Sequence, residues 1–163
     1  MPQSDPALGS EVYDLLRSDS NERKNIVVML LTSDASGFPR VALLSPYQIL
    51  AVGNKHLFVH VYRGSTSNKN LQERKKATLV IVTPPSIRYI RISEEESQSK
   101  NDDPDSDEQL HEFVVEEERT DYSAEAPITT PLLFDETKIK GRYEKSFQDL
   151  LQSARRPPSM EKV

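Results

Sequence analysis

Apolar positions recur along the chain with two different periods, and the switches between them divide it into elements. Near the start Val12, Leu15 and Leu16, with Leu8 ahead of them, fall at helical spacing. Ser10 has the residue type of an N-cap, and acidic Glu11 follows it where the helix dipole favours negative charge. Residues 25–32 (NIVVMLLT) form an unbroken aliphatic run, which predicts a strand covered on both faces or lining a closed barrel. Residues 33–37 (SDASG) predict a turn in which Gly37 is free to take positive φ, and 38–45 (FPRVALLS) a returning strand. A short strand is expected over 48–52 (QILAV). After the turn at Gly53 and Asn54 comes another over 55–62 (KHLFVHVY), where Leu57, Val59 and Val61 alternate.

The second half continues in the same way. Residues 71–76 (LQERKK) predict a short surface helix, with Asn70 and Glu73 at capping-box spacing. Strands follow over 77–83 (ATLVIVT), stopped by Pro84 and Pro85, and over 86–93 (SIRYIRIS), whose faces are mixed. Residues 94–108 (EEESQSKNDDPDSDE) hold many acids and no aliphatic residue. They are expected to form a solvated, mobile loop, because they bury little and repel one another. Residues 110–119 resume as a strand, and 128–134 (ITTPLLF) form another that Pro131 restricts to an edge or a loop. Tyr143, Phe147, Leu150, Leu151 and Ala154 make a helical stripe behind Gly141, and 155–163 are expected to be a flexible tail. Six or so short strands joined mostly by tight turns favour an antiparallel barrel, with 1–154 as a single domain.

Composition narrows the function more than the fold. The 163 residues suffice for one real core. The absence of Cys excludes disulfides, thiolate metal sites and cysteine nucleophiles, and fits a reducing compartment. A formal charge of −5 argues against a nucleic-acid module, whose mark is a clustered basic surface. The N-terminal residues show no basic leader followed by an apolar run, and no apolar stretch reaches the length of a membrane span. A soluble cytoplasmic protein is expected, with neither nucleic acid nor membrane as partner.

Candidate chemistry is sparse. His56 and His60 share a strand face but stand about 13 Å apart in an extended chain, too far for a shared metal. No G-x-S-x-G elbow supports a hydrolase, and the acids cluster in the loop, so no metal site and no catalytic residue is identified. Residues 62–71 (YRGSTSNKNL) admit two readings, a capping loop or an anion cradle. They are not a P-loop, because no second Gly followed by Lys and Ser or Thr appears after Gly64. Ser65, Thr66 and Ser67 nevertheless offer hydroxyls, the next helix offers unpaired N–H groups, and Lys69 adds charge. Arg40, set in FPRVALL, is always charged and must reach solvent or meet an anion.

The order of these features, IVVMLLTSDASGFPRVALLSP and then HLFVHVYRGSTSNKNLQERKKATLVIV, resembles the flavin-binding split-barrel family related to pyridoxamine 5′-phosphate oxidase. The likeness covers residues 26–83. It implies a six-stranded antiparallel split β-barrel, mainly β with flanking helices, working as a homodimer with FMN between the subunits. The implied activity is that of a flavin-dependent oxidoreductase. By position, Arg40, Val41, Ala42, Leu43, Leu44 and Ser45 match the strand along the flavin. His60 and Val61 match the strand end near the ring, and Ser65, Thr66 and Ser67 the phosphate loop, with Lys69 beside it. The chain departs from the oxidase itself, which has Lys at the position of Ser45 and an Arg-Lys pair at Thr66-Ser67. The oxidase also has a flavin-contacting Trp, and this chain has no Trp. A true pyridoxamine 5′-phosphate oxidase is therefore not expected. Two other readings remain open within the fold: a cleft for deazaflavin or haem, and a cofactor-free dimer acting through partners.

Overall fold

Strand residues that alternate in sequence must part to opposite faces of a sheet, and here one set of faces meets in a single interior. The computed structural model describes residues 6–17, 25–95 and 102–155. Its seven strands are β1 (Val28–Ser33), β2 (Pro39–Leu44), β3 (Ile49–Ala51), β4 (His56–Tyr62), β5 (Lys76–Thr83), β6 (Ser86–Glu94) and β7 (Glu108–Asp121). They run antiparallel in the order β2-β1-β5-β6-β7-β4-β3. Leu30 of β1, Leu44 of β2, Ile49 of β3, Val59 of β4, Leu79 of β5, Ile90 of β6 and Phe113 of β7 all join one buried cluster. A flat sheet cannot bring its two edge strands into one core. This sheet therefore curls, and β2 passes directly to β3 through a 3₁₀ turn at Pro46–Gln48. The two edges are not paired, so the barrel is split along that seam. Seven strands stand where six or so were expected; the short strand expected over 48–52 is present as Ile49–Ala51, paired with β4.

Among the described residues three α-helices complete the fold. The first, α1 (Ser10–Leu16), adds Val12, Leu15 and Leu16 to the barrel core, and Gly9 rather than Ser10 is its N-cap. The second, α2 (Thr66–Arg74), starts five residues earlier than the apolar pattern implies. Its first turn is written in Ser, Thr and Asn, which favour caps over helix interiors, so its start is hidden in the sequence. Asn70 is consequently no cap: it is buried inside α2 and its Nδ2 donates to Thr32 Oγ1 at 3.0 Å. The third, α3 (Glu136–Arg155), runs through Gly141 and lies on the outside of the sheet. Its Leu150 packs with Leu50 of β3 and Leu110 of β7 in a second, smaller core, flanked by Phe58, Phe147 and Leu151.

Two connections differ from expectation. Residues 128–134 form no strand; they bridge to the chain ahead of β1 through the Ile26–Leu133 pair, with Val27 N donating to Leu132 O at 3.0 Å. Pro131 has no N–H to extend the ladder. In the acidic segment, residues 96–101 lie outside those described, but 102–108 form a held turn instead of a freely solvated loop. Arg63 Nε donates to Ser106 O at 3.0 Å, and its Nη2 reaches both oxygens of Asp102 at 3.2 Å and the carbonyl of Asp103 at 2.9 Å. The expected tail falls mostly outside the described residues as well, with Arg155 ending α3.

Leu79 is fully buried at the centre of the barrel. Leu79→Ala is expected to lower stability by about 2–5 kcal/mol through lost burial and a residual cavity, read from the midpoint of urea unfolding.

Candidate functional site

The helix start that follows β4 is built around Ser65. Its hydroxyl accepts from Asn68 N at 3.1 Å and donates to Tyr62 O at 2.7 Å, so capping consumes it. The capping reading of YRGSTSNKNL is thus correct for Ser65. It leaves the N–H groups of Thr66 and Ser67 without a partner among the described residues, as a helix start does. Thr66 and Lys69 are exposed, and Ser67 is buried. A Cβ at Gly64 would meet the exposed Tyr62 ring at 3.2 Å, close enough that the ring would have to shift slightly.

Arg40 stands beside this helix. It lies directly opposite Thr32 in the β1–β2 register, and opposite residues of an antiparallel pair share a face. Thr32 on that face is hydrogen-bonded to Asn70 of α2, so Arg40 lies on the sheet face that α2 covers. It is exposed and forms no ion pair among the described residues. Ala42 and Leu44, on the same parity, turn into the barrel core. Val41 and Leu43, on the other parity, are 51% and 55% exposed, and Phe38 before them 70%. Ser45 is buried at the N-cap of the 3₁₀ turn, and its N–H donates to Gln48 Oε1 at 2.9 Å.

A polar network ties α2 into the barrel mouth. His111 pairs opposite Val59 and so faces inward, stacked beside Phe113 with ring centroids 5.9 Å apart. Its Nε2 meets Asn68 Oδ1 at 2.6 Å and its Nδ1 meets Glu94. The Asn68 amide orientation is fixed because its Nδ2 donates to Arg63 O at 3.0 Å and to Gln109 Oε1 at 2.9 Å. Sequence reasoning missed this group. An isolated His, Asn and Glu far apart in the chain carry no local signal.

His60 and Val61 are not brought to the α2 rim. Val61 is in the barrel core, and strand alternation turns His60 to the opposite, outer face. There α3 covers it, and its Nδ1 is 2.7 Å from Ser146 Oγ. Burial pushes the pKa of His60 below its ordinary 6.5, against the pull of Glu108, Asp149 and Asp102, with His111 acting in the same direction as burial.

No family model matches the sequence, and no curated protein matches it. Solved structures do. A candidate pyridoxamine 5′-phosphate oxidase from Lactobacillus delbrueckii aligns with a TM-score of 0.55 at 19% identity, over 72% of this chain and 97% of that one. HupZ of Group A Streptococcus gives 0.52 at 15%, over 75% and 99%. The styrene monooxygenase flavin reductase of Pseudomonas putida S12 gives 0.51 at 10%, over 70% and 88%. The chain has the pyridoxamine 5′-phosphate oxidase-like split-barrel fold.

At these identities the likeness is one of fold. Within the split barrel, the positions carried over from the resemblance separate into groups. Thr66, Ser67 and Lys69 lie in the first turn of α2, and Arg40 lies opposite Thr32, which α2 contacts through Asn70. Ser65 is used by the cap. Ala42, Leu44 and Val61 build the core, Val41 and Leu43 form a bare outer patch, and His60 lies under α3. Among the described residues no helix is long and apolar enough to cross a membrane, and no three metal-ligating side chains gather.

Three tests follow from this geometry. Asn68→Ala removes the amide that His111 Nε2 and the Arg63 carbonyl bond to, and is expected to cost about 1–3 kcal/mol in chemical denaturation. Lys69→Ala, at an exposed site, should stay within about 0.5 kcal/mol. For His60 the unfolded chain takes up a proton near pH 6.5 and the folded chain only at lower pH. Stability is therefore full above that value and declines as pH falls below it. His60→Gln should flatten this decline in melting curves taken across the range.

Proposed function

We propose that the chain is an FMN-binding protein, and that it works as a flavin-dependent oxidoreductase assembled as a homodimer. The observation that carries this reading is the anion-seeking character of the α2 rim. It combines two unpaired helix N–H groups, the exposed hydroxyl of Thr66, and two cations, Arg40 and Lys69, with no counter-charge among the described residues. A phosphate monoester is the group such a rim suits, since a helix start and a guanidinium both favour doubly charged oxygen acceptors. FMN bound there would supply hydride and electron transfer through its ring.

The residues divide the work accordingly. Thr66 and Ser67 hold the phosphate through backbone N–H groups, and Arg40 neutralises it from the neighbouring strand edge. The apolar side chains of Phe38, Val41 and Leu43 are uncovered on β2. A second copy of the chain covers them in this reading and closes water out of the cleft beside them. The phosphate charge is met by fewer cations than in the oxidase, because Thr66 and Ser67 stand where that enzyme has Arg and Lys. Affinity for FMN is accordingly expected to be weaker and more salt-sensitive than a pocket with four cations would give.

Purified protein mixed with FMN and desalted is expected to stay yellow, with quenched flavin fluorescence. A colourless product that shows no thermal shift with FMN rules the reading out. Arg40→Ala should weaken binding by about 1.5–3 kcal/mol, roughly ten- to a hundred-fold, measured by fluorescence titration. Leu43→Asp should yield a monomer in sedimentation and lose FMN with it.

A further inference from the structure

Between the start of β7, the 102–108 turn and one face of α3 lies a cavity of about 710 Å³. Its lining is acidic. Asp102, Asp103, Asp105, Asp107 and Glu108 come from the turn and strand, and Asp149 from the helix opposite; Lys145 is the basic residue among them. Several of these charges are already answered. Asp102 is held by Arg63, Asp103 Oδ1 accepts from Asp105 N at 3.0 Å, and Glu108 Oε2 accepts from Gln48 Nε2 at 3.1 Å. The carboxylates of Asp105, Asp107 and Asp149 have no partner among the described residues, and they stand on both walls.

The acids alone would be a solvated surface. His60 makes the cavity more than that. It is only 7% exposed, and yet it lines the cavity floor. Ser146 fixes its ring through Nδ1 at 2.7 Å, and its Nε2 has no partner among the described residues. A nearly buried imidazole with one nitrogen anchored and the other presented to a polar cavity is a polar group awaiting a partner. Placing it there costs desolvation that an apolar side chain under α3 would not.

We propose that this cleft binds a flexible organic polycation carrying two or more protonated amino groups. The carboxylates are spread along the cavity instead of converging, and no three ligating side chains gather around one point among the described residues. A compact divalent ion needs such convergence. An extended chain of ammonium groups does not; it places one charge against the 102–108 turn and another against Asp149, with His60 meeting an N–H or the stem between them. Burial keeps the imidazole neutral, so it adds no like charge to repel the ligand.

This cleft shares no lining residue with the α2 rim, so it stands or falls separately from the flavin reading. Spermidine is the probe, titrated calorimetrically into the full chain at pH 7.5 and low salt. Saturable one-to-one binding is expected, with a rise in melting temperature. MgCl₂ at the same ionic strength should give neither. The double substitution Asp105→Asn with Asp149→Asn, both at exposed positions, should weaken spermidine at least tenfold and leave the FMN titration unchanged. His60→Gln should weaken spermidine several-fold with the fold intact by circular dichroism. Absence of saturable binding at millimolar spermidine overturns the proposal. So does equal stabilisation by magnesium, or unchanged affinity in the double variant.

Discussion

Each strand of this sheet has to satisfy two faces at once, and the rest of the structure depends on how that is done. One parity of every strand goes into the barrel core, where Leu30, Val59, Leu79, Ile90 and Phe113 meet. The other parity is divided. Over β3, β4 and β7 it is covered by α3 and forms the second core around Leu50, Leu110 and Leu150. Over β2 it is bare, and Val41 and Leu43 face outward. A one-residue slip in any register would exchange these sets, so the pattern fixes the register as firmly as the hydrogen bonds do.

The same alternation separates the chemistry. On the inward parity, Thr32 and Arg40 are brought to the rim where α2 closes the barrel, and His111 is locked beneath it by Asn68 and Glu94. On the outward parity, His60 is carried to the other face and fixed by Ser146 of α3. Two histidines close to one another in the β4–β7 ladder thus serve different surfaces. One is satisfied on both nitrogens inside a structural network. The other presents a nitrogen to an acidic cavity.

Arg63 links the two halves of the molecule. It stands between the end of β4 and the start of α2, and it gathers the 102–108 turn with its guanidinium. Its backbone carbonyl in turn accepts from Asn68. The α2 rim, the His111 network and the wall of the acidic cavity therefore share one anchoring residue, and displacement of Arg63 would loosen all three.

Much of the fold was legible in the chain because its signals are local. The strands over 28–33, 56–62, 76–83 and 86–94, the positive φ of Gly37 and the stripe of α3 all follow from period, turn chemistry and length. Arg40 was legible too, since a fixed charge in an apolar strand requires an outlet whatever its neighbours are. The start of α2 was hidden because Ser, Thr and Asn look like a loop until Thr32 and His111 arrive to satisfy the two buried amides. The fate of His60 could not be read, because parity says only that it differs from Val59 and Val61, not which face α3 will cover. The order of the acidic turn depended on Arg63, about forty residues away in the chain. The sequence by itself determined periodicity, turns and the charges that need partners. Only the tertiary structure decided which partner each one meets, because those contacts join residues whose separation along the chain leaves no local trace.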